Sequence, residues 1–70
     1  MLNTLDTYAH SGKIAAQARN NGDEALYQHE KRWVTHALAL ESPDNHRRAR
    51  AAYDEAYGIY RRTPPPLYFI

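Results

Sequence analysis

Residues 23–41, DEALYQHEKRWVTHALALE, hold the only tryptophan of the chain and its densest set of large apolar side chains. The apolar residues recur at spacings of three and four positions, as in a helix that buries more than one face. They are Leu26, Trp33, Val34, Ala37, Leu38 and Leu40. This pattern predicts the central helix of a small bundle, with a neighbouring helix on each side.

Length and composition limit the class of protein. Seventy residues form one domain at most, and a core of that size rarely supplies more than about 3–5 kcal/mol of stability. The chain has no cysteine, which excludes disulfide bonds and thiolate zinc sites. We therefore expect close helix packing together with self-association as a homodimer. Because no segment has the pattern of a signal peptide or a membrane span, we also expect a cytoplasmic protein.

Two breaks divide the chain into helices. Gly22 can adopt the left-handed conformation that ends one helix, and Asp23 can cap the next one. Ser42 followed by Pro43 is a typical start signal for a third helix, and Asn3 is a candidate cap for the first. The predicted helices span residues 4–21, 24–41 and 43–62.

The predicted fold class is all-α, with an antiparallel hairpin of the first two helices and the third helix packed across them. This three-helix domain covers residues 1–62. In the remaining tail, residues 63–70, three prolines favour an extended segment. They are followed by Leu67, Tyr68, Phe69 and Ile70. Four consecutive large apolar residues either fold back over the bundle or contact another molecule.

Small residues mark the predicted packing face of the first helix. A stripe at helical spacing contains Leu5, Tyr8, Ala9, Gly12, Ala15, Ala16 and Arg19. Gly12 costs about 1 kcal/mol of helix propensity relative to alanine. We favour a close approach of another helix at Gly12 over a local loosening of the first helix.

Tyrosines on the third helix are either core residues or contact residues. We expect Tyr53 to be buried against Trp33. Tyr57 and Tyr60 are the better candidates for an interface, because tyrosine, tryptophan and arginine dominate the hot spots of protein interfaces.

The third helix also carries a cluster of arginines, Arg47, Arg48 and Arg50. Three interpretations stay open: a solvated helix face, a contact for an acidic protein partner, and phosphate contacts to DNA. The net charge of +1 is low for a DNA-binding domain of this size.

The sequence predicts no catalytic or metal site. His29 and His36 lie about 10.5 Å apart along a helix, which is too far for both to bind one metal ion. Paired acidic residues at positions 23–24 and 54–55 point about 100° apart, whereas general acid–base catalysis needs two carboxylates that converge on a cleft. We therefore predict a non-enzyme that uses neither a cofactor nor a metal ion.

Residues of the second and third predicted helices resemble the tetratricopeptide repeat. The matching residues are Trp33, Ala37, Leu40, Ala49, Tyr53, Ala56 and Pro64. The junction ALALESPDN, residues 37–45, resembles the phrase by which those repeats pass from one helix pair to the next. The whole helix pattern is also similar to microtubule-interacting-and-trafficking domains, which bind partner helices. Both resemblances imply a helical hairpin that binds proteins or peptides.

The small size, the lack of cysteine, the three-helix pattern and the apolar ends resemble very small phage proteins that sequester host regulators. Among these are the phage anti-activators of bacterial quorum sensing. The resemblance assigns no site residues. It implies a phage- or mobile-element-encoded protein whose partner is a host regulatory protein.

We therefore predict a small non-enzymatic module that binds and sequesters or inhibits a host regulatory protein. The predicted interaction residues are Trp33, Arg47, Arg48, Arg50, Tyr57, Tyr60, Leu67, Tyr68 and Phe69. Two alternatives stay open: a small DNA-binding regulator that uses the Arg-rich third helix, and a structural subunit whose tail inserts into a neighbouring chain.

Overall fold

Three helices account for most of the chain. The structure, a computed structural model, describes residues 3–62 and contains α1 (Leu5–Asn20), α2 (Glu24–Ala39) and α3 (Pro43–Arg62). No strand occurs in the described range, so the predicted all-α three-helix fold is confirmed. The apolar tail at residues 63–70 lies outside the described residues. None of the three helices is long and apolar enough to cross a membrane.

The connection between α1 and α2 has the chemistry that the sequence predicts. Gly22 has a φ of 72°, and its N–H donates to the carbonyl of Arg19 at 3.2 Å. The N–H of Asp23 donates to the carbonyl of Ala18 at 2.8 Å, which completes a Schellman motif. The Asp23 side chain then accepts the N–H of Leu26 at 3.1 Å and caps α2. This short connection therefore supplies hydrogen-bond partners to both helix ends.

For the other two helix starts, one predicted cap residue is confirmed and one is wrong. Ser42 caps α3 as predicted, since its Oγ accepts the N–H of Asn45 at 3.3 Å. The cap of α1 is Thr4 and not Asn3: Thr4 precedes the helix directly and accepts the N–H of Thr7 at 3.1 Å. Asn3 instead donates its backbone N–H to the side chain of Glu41 at 3.4 Å, two residues beyond the end of α2.

The central helix is α1, and the prediction that residues 23–41 form the centre is wrong. α1 packs extensively on α3 and also on α2, whereas α2 and α3 contact each other only slightly. On one side of α1, the Ser11 hydroxyl donates to Glu30 of α2 at 3.0 Å. On the adjacent side, Gly12 lies directly against the backbone of Tyr53 in α3. Small side chains allow both neighbours to approach, and this decides which helix is central.

The third helix lies along α1 and does not pack across the hairpin as predicted. Gly12 meets Tyr53 near the middle of the two helices, and Asn20 donates from its side chain to the carbonyl of Tyr60 at 2.9 Å near their ends. In each pair the α3 residue follows its α1 partner by about 40 positions in the sequence. Contacts therefore advance along both helices together, so α1 and α3 run parallel. α2 runs antiparallel to both.

The core is centred on Tyr8, which is completely buried. Its hydroxyl donates to Glu41 at 2.8 Å, and burial raises its pKa above the ordinary value. Its ring lies 5.8 Å from that of Trp33, so Trp33 contacts Tyr8 and not, as predicted, Tyr53. The buried residues around it are Val34, Ala37, Leu38 and Ala49.

Only part of the predicted apolar set of α2 is buried. Val34, Ala37 and Leu38 face the core. The other three stay exposed, with exposed fractions of 38% for Leu26, 36% for Trp33 and 61% for Leu40. α2 therefore buries one face and not two, because it has α1 as its only extensive neighbour in the described part of the chain.

Candidate protein-interaction groove between α2 and α3

A groove opens between α2 and α3 because these two helices both pack on α1 and scarcely contact each other. It encloses about 360 Å³. We call it the α2/α3 groove; its lining residues are Tyr27, Lys31, Val34, Thr35, Leu38, Arg50, Tyr53, Asp54 and Tyr57. All of them come from the two outer helices.

Two contacts between the helices bound the groove along its length. Near the α2–α3 connection, the Nδ1 atom of His46 lies 3.0 Å from the carbonyl oxygen of Leu38. At the other end, the ring centroids of Tyr27 and Tyr57 are 6.5 Å apart. The opening between these contacts is long enough for several residues of each helix to face it.

Helical spacing explains why these residues share the groove. On α3, Tyr53 and Tyr57 are four positions apart and therefore lie on one face, and Arg50 precedes Tyr53 by three. On α2, Lys31 and Thr35 are related in the same way. The sequence therefore shows which residues share one face of each helix. It does not show which apolar residues of α2 face the core and which face the groove, because that depends on where the other helices lie.

The floor of the groove is apolar and its walls are aromatic. Val34 and Leu38 are each 4% exposed and form the floor. The rings of Tyr53 and Tyr57 stack with centroids 6.3 Å apart and planes inclined by 16°. Burial, together with a smaller contribution from the neighbouring phenol of Tyr27, raises the pKa of Tyr53 to about 12. Tyr53 is therefore half-buried against other tyrosines.

Cationic side chains flank the aromatic walls. The guanidinium of Arg19 lies 4.2 Å from the ring centroid of Tyr27, and the ammonium of Lys31 lies 5.9 Å from the same ring. Across the groove, Nε of Arg50 pairs with Asp54 at 3.2 Å, in the i,i+4 pair that the sequence contains. Within residues 3–62 Lys31 forms no ion pair, so the rim has an uncompensated positive charge.

The structure distributes the predicted interaction residues over several surfaces. Arg50 and Tyr57 line the groove. Tyr60 faces α1 instead, with the ammonium of Lys13 5.1 Å above its ring. Arg47 and Arg48 are exposed near the start of α3, where Arg47 forms an ion pair with Asp44.

The remaining predicted residues fall elsewhere. Trp33 lies on the far side of α2, beside His10 of α1. Leu67, Tyr68 and Phe69 lie outside the described residues. Sequence reasoning missed the α2 wall of the groove, Tyr27 and Lys31.

In residues 3–62, no group of three or more His, Cys, Asp or Glu side chains is arranged to hold a metal ion. The groove itself offers aromatic rings, an apolar floor and a charged rim.

No protein-family model, curated protein or solved structure matches the chain. The resemblances to helical-hairpin modules and to small phage anti-activators therefore stay predictions.

Proposed function

We propose that this protein is a non-enzymatic binding module whose α2/α3 groove receives a segment of a regulatory protein. The observation that carries the proposal is the separation of α2 from α3, which leaves tyrosines and two buried aliphatic residues facing an open groove. Concave apolar surfaces with a few placed polar groups are the usual form of binding sites.

The chemistry of the lining selects the kind of segment. Val34 and Leu38 offer an apolar floor, while Tyr53 and Tyr57 offer large rigid contact surfaces at low cost in conformational entropy. The groove volume accommodates a few side chains but not a whole helix, whose diameter is about 10–12 Å. We therefore propose an amphipathic helix that lies over the groove and inserts apolar side chains into it.

The charge on the groove rim indicates which charge the partner helix carries beside its apolar face. Lys31 is uncompensated, and the Arg50 side chain is 60% exposed in its pair with Asp54, so both cations can face a carboxylate of the partner. Charge complementarity of this kind favours correct partners and faster association. The proposed ligand is thus an amphipathic helix with an acidic flank.

When this protein binds such a helix, other proteins can no longer bind it. The proposed role is therefore to sequester or inhibit a host regulatory protein. The resemblance to small phage proteins supports this role. The DNA-binding alternative receives less support, because the net charge of +1 is low for a DNA-binding domain of this size.

The test is capture of partners from bacterial lysate with the tagged protein, with and without nuclease, followed by affinity measurement with the captured protein. Tyr57→Ala removes a groove wall, and Lys31→Glu reverses the rim charge. Tyr60→Ala is the matched control, because this tyrosine is also half-buried on α3 but faces α1. Circular dichroism verifies that each variant keeps its helix content.

We expect a nuclease-resistant protein partner whose dissociation constant rises at least about tenfold with Tyr57→Ala and with Lys31→Glu, as for hot-spot residues of interfaces. Tyr60→Ala should leave the dissociation constant nearly unchanged. Capture that disappears with nuclease would move the function to nucleic acid. Equal affinity of all four proteins for the partner would show that the groove is not the binding surface.

A further inference from the structure

The α2/α3 groove opens beside the end of α3. Tyr57 marks the aromatic end of the groove, and α3 continues from there for five residues to Arg62. Five residues of helix rise about 7.5 Å. Residues 63–70 therefore begin close to the groove, and a chain that turns back along α3 enters the groove at Tyr57.

The chain beyond α3 has the length that this path requires. Thr63 precedes a proline, which disfavours a further helical turn at that residue. Residues 63–66 can span about 12 Å at about 3.1 Å per residue, which is more than the rise from Tyr57 to the end of α3. The excess covers the sideways step from α3 into the groove. Residues 67–70 can then extend over about 13 Å, comparable with the rise of about 10.5 Å between Arg50 and Tyr57.

The side-chain spacing of an extended segment also fits the groove. Side chains two positions apart in such a segment lie on the same side, about 6.6 Å from each other. The floor residues Val34 and Leu38 are four positions apart, which is about 6 Å along α2. On the opposite wall, the centroids of the stacked tyrosine rings are 6.3 Å apart. Leu67 and Phe69 are two apolar residues with the spacing that matches both walls.

A tethered segment has an advantage over a separate molecule. A short linker keeps the segment at an effective concentration on the order of 1 mM, so that even a weak contact fills the groove. The side chains of residues 63–70 are uncharged, and therefore form no ion pair with the rim cations Lys31 and Arg50. An acidic partner helix gains contacts there that the segment cannot make, and can displace it.

We propose that residues 67–70 occupy the α2/α3 groove of their own chain, with Leu67 and Phe69 on its floor, and keep it filled until a partner displaces them. The regulatory consequence rests on the proposed function, whereas the contact itself does not. Of the two alternatives that the sequence left open for the apolar tail, this is the one in which it folds back over the bundle.

A cysteine pair tests the contact without any partner, because the chain has no cysteine of its own. In the proposed path Ile70 lies level with Arg50. Thr35 is exposed and lines the same end of the groove, since Thr35 and Arg50 are each about one turn from the contact of Leu38 with His46. The full chain with Thr35→Cys and Ile70→Cys should form a disulfide within one molecule on mild oxidation in dilute solution.

The matched control for this pair is His29→Cys with Ile70→Cys. His29 is also exposed on α2, but it faces the hollow beside Trp33 and not the groove. The disulfide at Thr35 should form at least about ten times faster than the one at His29, because a docked segment has the higher effective concentration at its own site. Mass spectrometry of the digested monomer identifies the joined fragments.

A peptide provides the second test. The probe is a labelled peptide of residues 61–70, and the variant is the full chain with Leu67→Ser and Phe69→Ser, whose groove should be empty. The peptide should bind this variant at least about tenfold more tightly than the wild type, in which the tethered segment competes. The matched control, Tyr68→Ser with Ile70→Ser, changes the outer side of the segment and should bind the peptide as weakly as the wild type.

Adding Tyr57→Ala to the variant with serines at positions 67 and 69 locates the peptide. This substitution removes part of the groove wall and should raise the dissociation constant of the peptide at least about tenfold, as for an interface hot spot. An unchanged dissociation constant would show that the peptide binds outside the groove, and would overturn the proposal.

Three further outcomes would overturn it: a Thr35 disulfide no faster than the His29 control, a disulfide that joins two molecules, and equal affinity of the peptide for the wild type and the Leu67→Ser, Phe69→Ser variant. The proposed function fails separately. Partner capture that depends on Tyr57 while the disulfide test fails would leave the proposed function standing. An intramolecular disulfide together with partner binding that ignores Tyr57 would leave the segment as the occupant of the groove and remove the partner from it.

Discussion

At the scale of single residues, the position of Tyr53 illustrates how neighbours determine chemistry. Its place on a helical stripe predicted burial, and it is half-buried. Its partner is Tyr57 and not Trp33, because α3 follows α1 and leaves α2 at a distance. The sequence indicates that a tyrosine will be buried, whereas the relative placement of two helices decides which ring it contacts.

The raised pKa of Tyr53 predicts a loss of stability at high pH. Its phenol has a pKa of about 12 in the folded protein against 10.0 when exposed, chiefly because burial disfavours the phenolate. The neutral phenol therefore stabilises the fold fully below pH 10, and this contribution is lost as the pH rises from about 10 to about 12. The expected loss is on the order of 2 kcal/mol.

Urea unfolding at about pH 9 and about pH 11.5 measures this effect in the wild type and in Tyr53→Phe. The wild type should lose more free energy of unfolding between the two pH values, since the variant cannot ionise at this position. Both proteins share the other five of the six tyrosines, so the difference isolates Tyr53. Equal losses would contradict the assignment.

At the scale of elements, the close contact of α1 with α3 depends on the absence of a side chain at Gly12. A Cβ atom there would collide with the carbonyl oxygen of Tyr53 and lie 3.1 Å from its carbonyl carbon. The predicted choice of close packing over helix loosening is thus confirmed. Ala15 and Ala16, which are fully buried, continue the small face of α1.

Two glycine substitutions should have opposite effects on stability. Gly12→Ala gains up to about 1 kcal/mol of helix propensity but forces backbone against backbone, and should destabilise the protein by about 1–3 kcal/mol. Gly58→Ala should stabilise it by about 0.5–1 kcal/mol, because the nearest atom to its Cβ is the end of the Arg62 side chain at 3.9 Å. Thermal and urea unfolding report both. A stable Gly12→Ala variant would mean that α1 and α3 are farther apart.

Helix ends were the most predictable elements. The predicted bounds of α3 agree with the structure at both ends, and the Gly22–Asp23 signals place the first connection correctly. Caps and turns depend on hydrogen bonds between residues at most four or five positions apart, so the residues that form them stand together in the sequence. The predicted second helix was two residues too long, since α2 ends at Ala39 and Leu40 is its cap.

At the scale of the whole molecule, the fold has a dense side and an open side. α1 and α3 form the extensive contact, whereas α2 contributes Val34, Ala37 and Leu38 to the core and touches α3 only slightly. This uneven packing creates the α2/α3 groove and also leaves Leu26, Trp33 and Leu40 of α2 exposed. Both features thus derive from the position of one helix.

Hydrogen exchange should reflect the same asymmetry. Local openings require less free energy where fewer apolar contacts are lost. Amides in the middle of α2 should exchange at least about ten times faster than those in the middle of α1, a difference of about 1.4 kcal/mol. The measurement belongs in dilute solution, so that contacts between molecules do not protect α2. Equal protection of all three helices would indicate a single cooperative unit.

The sequence by itself determined the helical class, the number of helices, most of their caps and the small face of α1, because these depend on local hydrogen bonds and on the periodicity of side chains. It could not determine which helix is central. Large apolar residues pointed to the Trp33 helix, but close approach needs small ones, and only the tertiary structure places α3 against Gly12. That placement separates α2 from α3, and so decides which side chains line the groove and which apolar side chains of α2 stay exposed.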